Sequence, residues 1–144
     1  MKFWDPSALV PALVDEPATA AVHAVLRVDA SINVAWHCAI ECASAIARLE
    51  RAGGYSNDEA EAAFRHLSEM QSAWTVVQPT DHLRTTAVRL LRVHDLRAAD
   101  ALQLASAIAA AEGHPASLEF VSLDDRLNGA ARREGFPLVV PQPE

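Results

Sequence analysis

The chain has 144 residues, 51% of them hydrophobic and 22% charged, with a formal net charge of −7. Its apolar content excludes disorder, and no stretch approaches the ~20 uninterrupted apolar residues that a bilayer span requires. A domain of this size buries roughly 68–70% of the surface its unfolded chain exposes, so one domain over the whole chain is expected. Charged residues in Met1-Lys2-Phe3-Trp4-Asp5 precede any apolar run, which is unlike a secretory leader, and a cytosolic location is expected.

Alanine fills 29 positions and glycine only 5, a composition that favours helix. Five short apolar runs, partly β-branched or aromatic, interrupt it at residues 2–5, 31–35, 74–78, 119–123 and 138–140. Between them lie segments with helical spacing. Residues 18–28 carry Val22, Val25 and Leu26. Residues 36–52 carry Ile40, Ala43 and Ala47 and stop at Gly53-Gly54. Residues 56–71 open on Ser56-Asn57-Asp58-Glu59, a cap followed by first-turn acids. Residues 80–94, 99–112 and 124–134 complete the set, and the last two stop before Gly113 and Gly135. Strands separated by helices require crossover connections. The expected fold is therefore a single α/β domain, a mainly parallel four- to five-stranded sheet with helices on both faces. Runs that are apolar throughout, rather than alternating, fit burial of both sheet faces.

The two cysteines, Cys38 and Cys42, stand four residues apart with no second pair at ligand spacing. They read as small apolar core residues rather than half of a zinc site. The cations are eleven arginines and a single lysine, Lys2, so nearly every positive group is a planar fork suited to phosphate.

In an open α/β sheet, ligands bind beyond the carboxyl ends of the strands. Asp5 closes the first β run and Asp124 follows the fourth. Each is also an ordinary helix-capping residue. Glu41 lies inside Trp36-His37-Cys38-Ala39-Ile40-Glu41-Cys42-Ala43-Ser44-Ala45, the least polar helical segment, and no arginine stands at helical spacing before Arg48. A largely buried carboxylate is expected there, and burying one unpaired costs several kcal/mol. Asp100 similarly opens an Ala-rich helix, where it also suits the helix dipole. Carboxylates converging without basic partners need a cation, and oxygen-only ligation points to Mg²⁺ or Mn²⁺ rather than zinc. Such a site performs metal-assisted phosphoester chemistry. These four acids account for four of the seven net negative charges.

In these residues the chain resembles the PIN-domain nucleases, in particular the VapC-type toxins of bacterial toxin–antitoxin pairs. Phe3-Trp4-Asp5-Pro6-Ser7-Ala8-Leu9-Val10 is similar to the family's first-strand motif, and Glu41 falls where its second acid lies. Arg97-Ala98-Ala99-Asp100-Ala101-Leu102-Gln103-Leu104-Ala105 is similar to the third block, and Phe120-Val121-Ser122-Leu123-Asp124-Asp125 to the fourth. The resemblance implies a Mg²⁺- or Mn²⁺-dependent endoribonuclease whose metal site is Asp5, Glu41, Asp100 and Asp124, with Ser7 and Ser122 as hydroxyl supports. It further implies a homodimer, a VapB-type antitoxin partner and structured RNA, transfer or ribosomal, as substrate. Arg97, Arg126, Arg132 and Arg133 are candidate phosphate contacts, with Arg84 and Arg92 behind them. Two departures stand out: Pro6 replaces the usual Thr, removing a donor and a hydroxyl, and Ser122 replaces Thr while keeping the hydroxyl. Asp125 beside Asp124 leaves a one-residue ambiguity, in which the family pattern favours Asp124.

Other acidic sheet-end sites fit less well. An aspartyl phosphatase wants a second Asp two residues after the first, where this chain has Ser7, and a receiver domain wants a late lysine. The remaining alternative is a catalytically weak or inactive domain of the same kind that binds RNA or a protein without cutting.

Overall fold

The structure, a computed structural model, describes residues 1–143. Five strands, β1 (Lys2–Trp4), β2 (Asn33–Ala35), β3 (Thr75–Val77), β4 (Glu119–Val121) and β5 (Leu138–Val139), form one sheet in the order β3-β2-β1-β4-β5. Every adjacent pair is parallel. The helices are α1 (Pro6–Leu13), α2 (Thr19–Val28), α3 (Cys38–Arg51), α4 (Asn57–Gln71), α5 (Asp81–Val93), α6 (Ala98–Ala110) and α7 (Asp125–Arg133), and a 3-10 turn spans Pro115–Ser117. No described helix is long and apolar enough to cross a membrane.

The strands are short because each delivers only one or two residues to each face. Phe3, Ala35 and Phe120 point into a core shared with α5, α6 and α7. Their neighbours Trp4, Val34 and Val121 point into a second core made with α1 to α4. Phe3 stacks on Phe120 at 5.7 Å between ring centroids, and Phe136 closes the same layer against Phe120 at 5.8 Å. Cys38 and Cys42 are buried free thiols in the second core, as expected from the sequence.

Helix boundaries follow local chemistry. Ser56 and Glu59 form a reciprocal capping box on α4, and Thr80 caps α5 through Leu83 N–H. Gly53 and Gly135 take left-handed conformations just past α3 and α7. In both cases the paired returns to the helix's last carbonyls, such as Gly54 N–H to Leu49 O at 2.9 Å, are those of a Schellman motif.

Two features depart from the sequence expectation. Residues 6–13, assigned to no element from sequence, form α1. That segment is apolar on nearly all sides and contains Pro11, so it shows no amphipathic period to read. Conversely, β3 is not buried on both faces: it is an edge strand with Thr75 and Val76 exposed.

From β1 the chain steps outward to β2 and β3, then returns to the opposite side of β1 for β4 and β5. The direction reverses between β1 and β4. The crevice beyond their carboxyl ends is where such a sheet binds ligands.

Candidate metal centre

Asp5 leaves β1 at that crevice and Asp124 follows β4. Adjacent parallel strands bring the two together: Asp5 N–H donates to Val121 O at 2.9 Å, extending the ladder one residue beyond the strand. The turn after β4 is then tied to the turn after β1 by hydroxyls. Asp5 Oδ2 accepts from Ser7 N–H at 3.2 Å, from Ser7 Oγ, and from Ser122 Oγ at 3.1 Å. Ser7 Oγ in turn accepts Leu123 N–H at 2.9 Å, and Ser122 Oγ accepts Asp124 N–H at 3.0 Å. Asn128 Nδ2 donates to Ser122 O at 2.9 Å and fixes that loop to α7. Ser7 and Ser122 thus join the two strand ends as well as orienting Asp5.

Glu41 and Asp100 come from helices α3 and α6, which rise beside the crevice. With Asp5 and Asp124 they line one open cleft of about 700 Å³. Glu41 differs from the sequence expectation. It is not a largely buried, unpartnered carboxylate: its side chain is 34% exposed, and Oε1 lies 3.2 Å from His37 Nε2 and 3.3 Å from Gln103 Nε2. The partners are an amide and an imidazole, groups that a search for arginine or lysine on the same helix does not find. Asp124, not Asp125, faces the cleft. Asp125 is the exposed first residue of α7, whereas Asp124 is its cap and accepts Leu127 N–H at 2.9 Å.

Capping and site-building therefore coexist in the same side chains. Asp5 caps α1 through Oδ2, Asp124 caps α7 through Oδ1, and Glu41 is anchored through Oε1. In each case the other carboxylate oxygen makes no hydrogen bond among the described residues. Asp100, at the third position of α6, has no side-chain partner among them either.

The electrostatics are those of crowded acids. Burial pushes the Asp5 carboxyl up to about 6 despite the hydrogen bonds from Ser7 and Ser122, and the charge of Glu41 adds to the rise. Asp100 is raised by burial and then by the nearby Asp124 carboxylate. The donor set is all oxygen, which suits Mg²⁺ or Mn²⁺. Among the described residues no three of these acids lie close enough to hold one ion as they stand, so a bound ion would draw the free oxygens inward.

Three guanidinium groups, Arg48, Arg97 and Arg126, line the same cleft. Arg48 is the one that sequence reasoning passed over: it lies seven residues beyond Glu41 on α3, two turns along the same face. Arg132 and Arg133 are not brought to the cleft. They occupy the far end of α7, where Arg133 Nη1 lies 3.5 Å from His94 Nδ1. Arg84 and Arg92 lie on α5, away from the cleft, and Arg84 pairs with Asp81 at 3.6 Å. Pro6 stands at the first position of α1, where a backbone N–H would have no helical acceptor, so the helix loses nothing by it. Ser7 supplies the donors to Asp5 that Pro6 lacks. Lys2 sits at the opposite end of β1, paired with Asp29 at 3.2 Å and Glu119 at 3.4 Å, and does not serve the cleft.

A family profile described as PIN domain matches residues 2–133. Among solved structures the chain is similar to PAE2754 from Pyrobaculum aerophilum, with a TM-score of 0.61 and 22% identity over 96% of this chain and 88% of that one. It is also similar to the structure of FitAB bound to an IR36 DNA fragment, with a TM-score of 0.69 and 12% identity over 98% and 95% of the two chains. At these identities the likeness is one of fold. No curated protein sequence matches the chain.

Proposed function

Because the chain belongs to the PIN-domain family, we propose that it is a Mg²⁺- or Mn²⁺-dependent endoribonuclease acting as the toxin of a VapBC-type toxin–antitoxin pair. The observation that carries this reading is the cleft at the β1–β4 switch point, where Asp5, Glu41 and Asp124 each anchor one oxygen and leave the other free beside Asp100. When bound there, a divalent ion supplies charge neutralisation at the phosphate and lowers the pKa of water. The chain's own residues do the rest. The four acids hold the ion, Ser7 and Ser122 fix the rotamer of Asp5, and Arg48, Arg97 and Arg126 take the phosphates on either side of the scissile bond.

RNA as the substrate, a homodimer as the functional unit and a VapB-type antitoxin as the partner rest on the family resemblance of the sequence. The FitAB neighbour, bound to a DNA fragment, is a case of this fold in a nucleic-acid complex.

The test is cleavage of a total small-RNA pool by the purified chain in Mg²⁺, in Mn²⁺ and in EDTA, beside Asp100→Asn. Discrete fragments that need the metal and vanish in the variant are expected. No cleavage, with antitoxin absent and Mn²⁺ binding intact, would make the chain a non-cutting binding module, with the hydroxyl missing at Pro6 as the first thing to restore. Full activity in Asp100→Asn would remove Asp100 from the site.

A further inference from the structure

Helix α6 is built almost wholly from alanine and leucine, and its polar side chains each need a reason. Ser106 returns its hydroxyl to its own helix at Leu102 O, 2.7 Å away. Gln103 does not. It is 1% exposed, and its amide reaches across to α3, with Nε2 3.3 Å from Glu41 Oε1 and 3.3 Å from His37 Nε2. Its own Oε1 is buried without a partner. A leucine at this position would fill similar space and leave no orphaned acceptor, so the NH₂ group is what the position provides. That group faces a carboxylate, the one arrangement of the amide in which Glu41 meets a donor rather than a second acceptor.

His37 completes the arrangement. It occupies the cap position of α3 yet makes no side-chain capping bond; its ring turns one helical turn forward to Glu41, with Nε2 3.2 Å from Oε1. Three polar atoms therefore sit within 3.2–3.3 Å of one another, and all contact with Glu41 falls on a single oxygen. Glutamate has three rotatable side-chain bonds, and at 34% exposure nothing else among the described residues fixes where this one points.

We propose that Gln103 and His37 are positioning residues that clamp Oε1 of Glu41 and so present Oε2 to the metal cleft. The inference rests on the metal-nuclease reading above and adds to it the groups that set one ligand. Helix α6 then serves the site twice, giving Asp100 directly and orienting Glu41 through a residue one turn later.

Mn²⁺ binding to the purified full chain, followed by the loss of the free-ion EPR signal, tests this alongside thermal melting. Gln103→Leu is expected to melt at or above the wild-type temperature while binding Mn²⁺ ~10-fold or more weakly, the range typical of groups that orient metal ligands. In a Glu41→Gln background the same substitution is expected to change Mn²⁺ affinity less than about twofold, since there is no longer a carboxylate to clamp. His37→Phe, at a partly buried site 21% exposed, is expected to weaken Mn²⁺ binding in the same direction by a smaller factor without moving the melting temperature. Wild-type affinity in Gln103→Leu, or an equal loss with and without Glu41, overturns the proposal. Should Gln103→Leu not fold, wild-type affinity in His37→Phe overturns it instead. A wild-type chain that binds no Mn²⁺ overturns the metal reading itself and the clamp with it, whereas failure of the clamp alone leaves wild-type binding intact.

Discussion

Asp5 is the residue on which stability and function pull in opposite directions. Its carboxyl is raised to about 6 by burial, from an ordinary value of 3.8, even with three donors turned toward one oxygen. A group whose pKa is higher in the folded than in the unfolded chain stabilises the fold fully at pH below its unfolded pKa and progressively loses that contribution as pH rises through the folded pKa. Without metal, the protein should therefore lose stability between about pH 4 and pH 7. Asn at this position keeps the acceptor oxygen for Ser7 and Ser122 but carries no charge. Asp5→Asn is thus expected to be more stable than wild type by about 1–3 kcal/mol in EDTA at pH 8, and the gap should close towards pH 4. Thermal melts of both proteins across that range measure it. A wild-type chain that melts higher at pH 8 than at pH 5 in EDTA would mean that Asp5 is not the buried acid described. Added Mn²⁺ should reverse the order, because only the charged side chain gains from the ion.

At the scale of elements, α7 shows why a capping acid and a cleft-lining acid are not competing descriptions. The helix is only nine residues long. It is capped by Asp124, carries Asp125 in its first turn and Arg132 and Arg133 in its last, and so matches its own dipole at both ends. Arg132 and Arg133, two of the four arginines suggested as phosphate contacts from sequence, are accounted for by that role and by the contact of Arg133 with His94. Asp124→Asn retains an oxygen for Leu127 N–H and should leave the melting temperature near wild type while weakening Mn²⁺ binding at least tenfold. Asp124→Ala removes both functions and should also cost about 1 kcal/mol of stability, the usual worth of a cap. If the two variants melt alike, the cap is not holding the helix.

Much at this scale was readable from the sequence. The six helices and five strands assigned there start and stop within about two residues of the observed ones, because Ser56, Thr80, Gly53 and Gly135 act locally. Asp5, Asp100 and Asp124 were readable from their places at strand and helix starts. What stayed hidden was either uniform or distant. Helix α1 is apolar around nearly all of its circumference, Ser7 excepted, and contains two prolines, and such a segment has no period. The environment of Glu41 is half local, with His37 one turn earlier at helical spacing, and half distant: Gln103 is 62 residues away on another helix, and no pattern within α3 announces it.

Across the whole molecule, a net charge of −7 has to be reconciled with the polyanionic substrate proposed for the cleft. The excess is not in the cleft: its four acids are nearly balanced by Arg48, Arg97 and Arg126 around the same opening, and a divalent ion there would make it net positive. Arg126 has a distant acidic neighbour, Asp95 at 3.9 Å, whereas Arg48 and Arg97 form no ion pair among the described residues and are free to meet phosphate. Phosphate contacts of this kind release counterions, so affinity falls with salt along a slope set by their number, about 0.7 per contact for a single strand. Anisotropy of a labelled RNA, titrated in Mg²⁺ at several salt concentrations with every protein carrying Asp100→Asn so that the RNA stays uncut, should therefore give a log–log slope shallower by about 1.4 when Arg48→Ala and Arg97→Ala are added, with weaker binding at every salt concentration. The double variant Arg132→Ala, Arg133→Ala provides the contrast. Its charge change is identical, but the residues lie six and seven positions along α7 beyond Arg126, roughly 10 Å at helical rise, and its slope should stay that of the Asp100→Asn parent. If the far pair changes the slope and the near pair does not, the nucleic acid crosses a different face of the molecule, and the cleft is not where it binds.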